Sequence, residues 1–431
     1  MDLRFDDPWV QLQVDRAVGL WSSCAGLPIP AAPLFSPAEH ARREAAYDRA
    51  LDEVEPLVKR PGYSRTGRLA TEQKIASVFS RFAAHALHLE PAAINLIEND
   101  FLPAGTCLAR WARQFDPALS MPDIVQACRN AWTACGLQPI LGERIGITPS
   151  ILGYSLLYPY TDNYLDRREI GPEAKLRFSA RFRERLRGES IAPQNDHERT
   201  LWRLVELIEG QFPRLLYPQV FDSLLAIHQA QEASLAQMRG GHMGIVEVLR
   251  ISCAKGGTSV LADACLARGS LRSDEAQFGF DWGVLLQLGD DLQDLDEDLK
   301  RGSETIFSQA AARGDTLDEQ VSQLLNLSER VGDEMRALPH SSSLLENLLR
   351  MSWRSLIIGA VANAPHCFSS RFLAEAEARS PFRFGFLRER KKKLAGKSGL
   401  YETLFNAFLE SRDEGEVAPD QTVAALGMIS A

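Results

Sequence analysis

The sequence contains few cysteines, and they lack the spacing that would give them a common role. Seven cysteines are scattered through 431 residues, and no two of them form a C-x-x-C pair. The cysteines are odd in number and scattered, which argues against a disulfide framework. The absence of a C-x-x-C pair argues against a zinc site. We therefore expect most of the cysteines to be small buried apolar residues.

Long apolar runs are also missing. No stretch reaches the roughly 18 apolar residues that are needed to span a bilayer. The first seven residues, MDLRFDD, lack a positive segment followed by an apolar one, which a secretion signal would require. We therefore predict a cytoplasmic protein with no transmembrane segment.

The sequence also lacks an excess of positive charge, because 57 acidic residues outnumber 48 lysines and arginines. The formal net charge is −9, which argues against a surface for nucleic acid. One basic run, residues 388–393, stands near the C-terminus. Such runs are usually solvated faces. Contact with a diphosphate, an anionic membrane or a partner is the functional alternative.

Strand signals are almost absent, because alternating β-branched runs are rare, so we predict an all-α fold. Ser36-Pro37-Ala38-Glu39 offers an N-cap, a first-turn proline and a capping-box glutamate, and Thr148-Pro149 repeats the cap and the proline. The predicted helices are 37–59, 71–89, 92–115, 122–135, 149–168, 172–187, 196–212, 218–238, 243–268, 274–300, 316–337, 343–363 and 386–411.

No internal repeat and no low-complexity linker divides the chain. With 45% hydrophobic residues it can bury a large core in one or two domains. We favour one helical domain followed by a loose tail after about residue 412. A separate N-terminal helical layer ending near residue 140 is the alternative, which gives the division 1–140, 141–412 and 413–431.

What the sequence does have is two acidic clusters that directly follow apolar runs. In one of them, LLQLGDDLQDLDED (285–298), a helix places five carboxylates within an arc of about 120° and turns Asp296 away from them. Gln287 and Arg301 project onto the same arc. Like charges four residues apart destabilise a helix, so the cluster is either a solvated face or a site for a cation.

The other acidic cluster, which lies upstream in the sequence, favours the cation site. Asp162, Asp166 and Glu169 share one helical face, with Asn163 at its edge. Two facing helices that present carboxylates four residues apart can hold Mg²⁺, which commonly binds a few carboxylates together with phosphate oxygens. The implied substrate is a diphosphate.

These two clusters resemble the aspartate-rich motifs of class I isoprenoid synthases. Asp162-Asn163-Tyr164-Leu165-Asp166 lies 128 residues before the second motif, QLGDDLQD (287–294), which is similar to the Q-x-x-D-D-x-x-D of trans-prenyltransferases. DEDLKRG (296–302) resembles the ending of the phytoene synthase motif, and Asp290, Asp294 and Asp298 fit the ligand spacing of terpene cyclases. The resemblance covers about residues 140–365.

The resemblance implies a helical bundle with a central active-site cavity, in which an isoprenoid diphosphate is held with three Mg²⁺. The metal ligands it implies are Asp162, Asp166, Asp290, Asp291, Asp294 and Asp298. The implied diphosphate ligands are Arg167, Lys255 and Arg301. The implied catalytic or cavity residues are Asn163, Tyr158, Thr258, Gln287 and Glu297, with Asp291 and Glu297 as substitute or supporting groups.

Three further features have both a functional and a structural interpretation. Gly256-Gly257, after Lys255, interrupt an apolar helix and indicate either the kinked helix of this fold, next to the diphosphate, or a tight helix crossing. The region 228–232, with one histidine and two glutamines, is more often structural than functional. Some aromatic residues would either shield a cation from water or form part of the apolar core. They are Tyr154, Tyr158, Phe278 and Trp282.

The leading hypothesis is a class I terpene synthase, in which the metals neutralise the charge that develops on the departing diphosphate. Asp162-Asn163 stands where prenyltransferases usually have two aspartates, and an upstream Gly-Gly-Lys-Arg-like motif is missing, which weakens chain elongation. Both clusters satisfy D-x-x-x-D, so a head-to-head, squalene-like prenyltransferase stays open, as does a non-catalytic scaffold.

A di-iron bundle would need Glu-x-x-His pairs, which neither cluster has. A homodimer is the prior expectation for such a protein.

Overall fold

The computed structural model describes residues 3–60, 64–167, 169–234 and 243–395, without the side chains of residues 65, 162 and 166. All regular structure in these ranges is helical, which confirms the predicted all-α class. The α-helices are Asp7–Ser23 (α1), Pro37–Lys59 (α2), Arg65–Phe82 (α3), Pro91–Leu96 (α4), Leu102–Phe115 (α5), Met121–Ile140 (α6), Pro149–Asp166 (α7), Pro172–Arg187 (α8), Asp196–Gln211 (α9), Pro218–Ser234 (α10), Ile245–Arg268 (α11), Ser273–Gln293 (α12), Leu295–Arg301 (α13), Ile306–Ala312 (α14), Asp318–Arg336 (α15), Ser343–Asn363 (α16), Ser370–Ala378 (α17) and Phe384–Ala395 (α18). Two π-helical turns, Ala83–Leu87 and Ile97–Phe101, follow α3 and α4.

The predicted helix starts are confirmed where capping residues mark them. The hydroxyl of Ser36 accepts from the backbone N–H of Glu39, and the Glu39 carboxylate accepts from the backbone N–H of Ser36 at 2.7 Å. Thr148 caps α7 by accepting from the N–H of Ile151 at 3.3 Å. Each cap satisfies backbone donors that the first helical turn leaves free.

Other predicted bounds are wrong in ways that have local causes. The predictions omit α1, α14 and α17, and the predicted helix 274–300 is interrupted at Asp294, which ends α12 and precedes α13. The predicted helix 92–115 is divided by a π-helical turn. Of the predicted helix 386–411, only the part up to residue 395 lies within the described residues.

The long helix α11 lies at the centre of the bundle and packs against α1, α6, α10 and α12. One continuous apolar core extends from Phe5 in front of α1 to Phe384 at the start of α18. A second, small core of Ala46, Ala86 and Phe382 joins α2 and the π-helical turn Ala83–Leu87 to the segment before α18. The helix α1 therefore shares the main core with α11 and α12, although it belongs to the predicted N-terminal layer.

The two glycines of α11 lie where this helix crosses α12. A methyl group on Gly256 would lie 2.3 Å from the carbonyl oxygen of Gly283, and one on Gly257 would lie 2.4 Å from the ring of Phe280. Helical hydrogen bonding continues through both glycines. Of the two interpretations of this pair, the tight helix crossing is the one that these distances support.

The structure bears on two predictions from the sequence, which concern the burial of the cysteines and the membrane-spanning helices. All seven cysteines are unpaired, and every one except the half-buried Cys107 is buried. Among the described helices, none is both long enough and apolar enough to cross a bilayer.

Candidate functional site

The helix that carries the first acidic motif runs antiparallel to α11. The hydroxyl of Ser150, at the start of α7, donates to the carbonyl oxygen of Leu266 at 3.1 Å. Two turns later, the hydroxyl of Tyr158 is hydrogen bonded to that of Ser259. The register therefore brings the C-terminal end of α7 toward the part of α11 that precedes Ser259, where Lys255 lies.

The helix that carries the second motif meets α11 at the same end. Ser252 on α11 donates to the carboxylate of Asp291 on α12 at 2.8 Å, and Gly256 lies against Gly283, so these helices are also antiparallel. The last turns of α7 and of α12 consequently lie on the two sides of the segment 252–259. The polar surface at this end of the bundle is the candidate functional site.

The carboxylate of Asp291 is buried and held by two donors. It accepts from the hydroxyl of Ser252 and from the amide of Gln287, the latter at 2.7 Å, and only 7% of the residue is exposed. Burial raises the pKa of Asp291, while the two hydrogen bonds and the charge of Lys255 oppose the rise. Both oxygens therefore already have partners inside the protein.

Asp290, Asp294 and Asp298 form the open part of the cluster. Burial raises the pKa of both Asp290 and Asp298 to about 6, and the negative charges of Asp291 and Asp294 add to the effect at both positions. Asp294 interrupts the helix but keeps the spacing, because its N–H donates to the carbonyl of Asp290 and its own carbonyl accepts from the N–H of Asp298, both at 2.9 Å. The three side chains thus form one region in which negative charge is in excess.

Few cations balance these carboxylates. The guanidinium of Arg129 on α6 lies 3.6 Å from Asp290, and its charge lowers the pKa of that carboxyl, as the charge of Lys255 does more weakly. Arg301 is 3.1 Å from Glu297, and both side chains are largely exposed. Lys255 is half-buried. A cation or a cation-bound ligand would therefore find excess negative charge here.

Oxygen donors of this kind fit Mg²⁺ when a substrate completes the coordination. Among the described side chains, no group of three or more histidines, cysteines, aspartates or glutamates converges closely enough to enclose a metal ion. Mg²⁺, however, is usually held by one or two carboxylates together with waters and phosphate oxygens. The donor set around Asp290 and Asp298 suits that mode, and it does not form a cage made by the protein alone.

The α7 side is described only in part. The backbone of Asp162 and Asp166 belongs to α7, but the side chains of these two predicted ligands lie outside the described set. Asn163 is exposed, and its amide donates to the carboxylate of Asp123 on α6 at 2.8 Å. That bond ties the end of α7 to α6.

A histidine that no sequence motif marks contacts this end of α7. His197 on α9 stacks on Tyr164, with ring centroids 4.5 Å apart. Burial and then the charge of Arg167 lower the pKa of His197 to about 4. The imidazole is therefore neutral at physiological pH. Arg167 itself is exposed.

The remaining predicted cavity residues differ in their surroundings. Thr258 is buried, and its hydroxyl donates to the carbonyl of Ala254 in its own helix at 2.6 Å. Phe278 and Trp282 are buried, with ring centroids 5.6 Å apart, and Trp282 also meets Trp353, so they belong to the apolar core. His228 is buried with its Nε2 3.1 Å from the carbonyl oxygen of Ser179, which supports the structural interpretation of that histidine.

A narrow apolar cavity lies between α7, α8 and α10, next to Tyr158. Its volume is about 20 Å³, which is room for about one water molecule and too little for an isoprenoid chain. The lining residues on α7 are Tyr154, Leu157, Tyr158 and Thr161. An isoprenoid chain enters this space only if the lining helices or side chains move apart.

Sequence reasoning missed a polar cluster in the centre of the bundle. The amide of Asn130 on α6 donates to Ser155 on α7 at 3.3 Å and to Asp263 on α11 at 3.2 Å. Asp263 is 1% exposed, and burial raises its pKa well above the ordinary value. A lone aspartate within the apolar stretch VLADACLA was the available signal. Arg129 had no such signal, because its partner lies on a distant helix.

The basic run 388–393 anchors the C-terminal helix in the described structure. Arg390 donates to the carboxylate of Asp48 on α2 at 2.6 Å, and Arg388 donates to the carbonyl of Ala362 at 2.9 Å. Lys393 lies 3.2 Å from Glu389 in the next turn. These partners account for three of the five cations in the run.

Comparison with solved structures shows a distant similarity, whereas the other comparisons find no match. No protein-family model matches the chain, and no curated protein matches it. Among solved structures, the chain is similar to one described as a geranylgeranyl pyrophosphate synthetase from the archaeon Geoglobus acetivorans. The two share 15% sequence identity, the alignment covers 65% of this chain and 97% of that one, and the TM-score is 0.33.

Proposed function

We propose that the protein is a Mg²⁺-dependent class I terpene synthase, which ionises an allylic isoprenoid diphosphate and cyclises or deprotonates the resulting cation. The observation that carries the proposal is the concentration of Asp290, Asp294 and Asp298 beside Lys255, at the end of α11 to which α7 brings the first acidic motif. The catalytic bundle would comprise residues 141–412, with 1–140 as an additional layer. The tail 413–431 lies outside the described residues.

The carboxylates would divide into ligands and a supporting group. Asp290, Asp294 and Asp298 would bind one part of the metal cluster, and Asp162 and Asp166 the other. Asp291 would orient its neighbours, because both of its oxygens already accept hydrogen bonds from Ser252 and Gln287. Mg²⁺ would act as a Lewis acid that neutralises charge on the departing diphosphate.

The diphosphate itself would meet the cations around the cluster. Lys255 is close enough to both Asp290 and Asp291 to lower their pKa values, so its ammonium group can contact an anion held there. Arg129, Arg167 and Arg301 are exposed, and guanidinium groups bind phosphate oxygens in pairs. These side chains would hold the leaving group away from the cation.

The hydrocarbon chain would occupy the space next to Tyr158 once that space has opened. Tyr154 and Tyr158 are joined by a hydrogen bond of 3.1 Å and turn toward Ser259 on α11. Their ring faces can stabilise a cation, and the apolar wall of Leu157 and Phe182 would exclude water.

A prenyltransferase is the second candidate. The D-x-x-x-D spacing is complete at both motifs, as in squalene and phytoene synthases. The amide of Asn163 is engaged with Asp123, so the first motif offers two carboxylates and lacks a third at this position, which weakens chain elongation. A scaffold without turnover is the remote alternative.

The experiment that separates these functions uses the full-length protein with geranyl, farnesyl or geranylgeranyl diphosphate. Each substrate is tested with and without isopentenyl diphosphate and with Mg²⁺ or EDTA, while organic products and released diphosphate are measured. The proposal expects a hydrocarbon or alcohol from a single substrate, with diphosphate release that requires Mg²⁺. Longer diphosphates would mean elongation, a head-to-head dimer would mean the squalene-like class, and no consumption would favour the scaffold.

A further inference from the structure

A second charged site lies on the other core of the protein, between α2 and the turn that follows α3. Here a cleft of about 540 Å³ opens to solvent, a volume that is typical of pockets for small ligands. The charged and titratable side chains that line it are Glu39, Arg42, Arg43, Arg49, His85 and His88. Three guanidinium groups and two imidazoles thus face one carboxylate, in a chain whose net charge is −9.

The cation at the base of the cleft is buried. Arg43 is 6% exposed, its guanidinium lies 4.6 Å above the ring of Phe35, and it donates to the carbonyl oxygen of Ala86. Burial lowers the pKa of Arg43. Among the described side chains, none forms an ion pair with it. A buried cation without a paired charge is unfavourable, so an anion in the cleft would compensate it.

Two carboxylates of α2 are directed away from this cleft. Glu44 accepts from Arg383 at 2.9 Å, and Asp48 accepts from Arg390 at 2.6 Å, so both are engaged with the segment around α18. The single carboxylate at the cleft, Glu39, accepts from the hydroxyl and the N–H of Ser36 in the helix cap. The sequence of α2 therefore separates the two signs of charge onto different faces.

Two further arginines on the cleft side of α2 have no carboxylate partner among the described residues. Arg42 and Arg49 are seven residues apart, which places them on one helical face two turns from each other. Both are exposed, and within the described parts of the chain neither takes part in an ion pair or a side-chain hydrogen bond. Most other arginines of the bundle, such as Arg181, are paired with carboxylates.

The opposite wall has an unusual backbone. The π-helical turn Ala83–Leu87 ends at His88, whose φ of 56° is the only positive value for a residue other than glycine in the described ranges. A residue other than glycine adopts this conformation at a cost, and such residues cluster at functional sites. The turn brings His85 and His88 to the same cleft as the arginines.

We propose that this cleft is a binding site for a small phosphorylated anion, which the arginines of α2 and the two histidines hold without a metal ion. Guanidinium forks match phosphate oxygens, and the cleft accepts a ligand the size of a diphosphate ester. The site is independent of the acidic cluster at α12, where an anion would require Mg²⁺. Removal of Mg²⁺ by a chelator therefore distinguishes anion binding at the two sites.

The test is calorimetric titration of the full-length protein with inorganic diphosphate in EDTA. The wild type is expected to bind one equivalent, and R42Q/R49Q is expected to bind at least about tenfold more weakly because two charge-assisted contacts are lost. R187Q/R199Q is the matched control, since it removes the same charge from exposed arginines of α8 and α9. D290N should bind as the wild type does.

Several results would overturn the proposal. These are no saturable binding by the wild type in EDTA, an equal loss in R187Q/R199Q, or a loss in D290N. Binding to vesicles that contain a phosphoinositide, with none to inorganic diphosphate, would assign the cleft to a membrane surface instead. Circular dichroism checks that both double variants fold. The imidazole NMR signal of His88 gives a second readout. This signal should shift when diphosphate is added to the wild type and to R42Q.

Discussion

The hydroxyl of Ser252 on α11 donates a hydrogen bond of 2.8 Å to the buried carboxylate of Asp291 on α12. This bond exists because the glycine contact between Gly256 and Gly283, one turn away on α11, lets the two helix backbones approach closely. The packing of two helices thereby determines the orientation of an aspartate within the acidic cluster. Helix packing and the proposed chemistry are consequently linked through a few small residues.

The ligand assignment predicts the effect of neutral replacements. Asp290→Asn and Asp294→Asn should each reduce Mg²⁺-dependent diphosphate release at least about a hundredfold, because each removes charge that the developing transition state needs. Asp296→Asn is the matched control, since Asp296 is exposed and lies 3.7 Å from His366 instead of the cluster. Full activity in the first two variants, measured with unchanged far-ultraviolet circular dichroism, would exclude these carboxylates as ligands.

The hydrogen bond to Asp291 predicts a weaker effect from a position that would not touch the metal. Ser252→Ala removes one of the two donors to a buried carboxylate, so the Mg²⁺ concentration for half-maximal activity should rise about 10- to 100-fold. Unfolding by urea should become easier by about 1–3 kcal/mol, since the carboxylate loses a partner. Ser322→Ala, whose hydroxyl bonds only to its own helix, should change neither quantity comparably. An unchanged Mg²⁺ requirement in Ser252→Ala would separate Asp291 from the metal site.

The helix crossing predicts a steric effect. In Gly256→Ala, the added methyl would lie 2.3 Å from the carbonyl oxygen of Gly283 and 2.4 Å from Cβ of Gln287. The helices must separate, which should lower the free energy of unfolding by about 1–3 kcal/mol. Gly359→Ala in α16 meets nothing within 4 Å and should be neutral or slightly stabilising. Equal stability of the two variants in urea titrations would contradict the close crossing.

Local signals in the sequence predicted much of the fold. Helix starts such as Pro37 and Pro149 are correct because the capping residue and the first-turn proline act within one turn of the chain. The helices α14 and α17 were missed because seven and nine residues are too few to display a clear apolar period. The break at Asp294 was missed because the helical hydrogen bonds continue on both sides of it.

The candidate site was predictable only where its residues share one helix. Spacing alone grouped Asp290, Asp294 and Asp298, because four residues are close to one helical turn. Arg129 and Ser252 were not predictable, since their contacts to the cluster depend on how α6 and α11 pack against α12. The choice between a kink and a crossing at Gly256 depended in the same way on Gly283, 27 residues away in the chain.

A partly buried group of three ionisable residues predicts how stability depends on pH. Arg16 of α1 lies 2.5 Å from Asp281 and 3.6 Å from Glu334. Burial and the neighbouring Asp281 raise the pKa of Glu334 to about 8, and burial also raises that of Asp281. A carboxyl with a raised pKa in the folded state stabilises fully below its unfolded pKa, near 4.5, and this contribution is lost as the pH rises toward 8.

Glu334→Gln should remove this dependence. The difference in unfolding free energy between the variant and the wild type should move in favour of the variant between pH 5 and 8, by up to about 1.4 kcal/mol per pH unit while one proton is released. Urea titrations at pH 5, 6.5 and 8 measure it, with Glu319→Gln, which is exposed on the same helix, as the control. A difference that stays constant, or that moves in favour of the wild type, would mean that Glu334 is ionised in the folded protein and that Arg16 compensates both carboxylates.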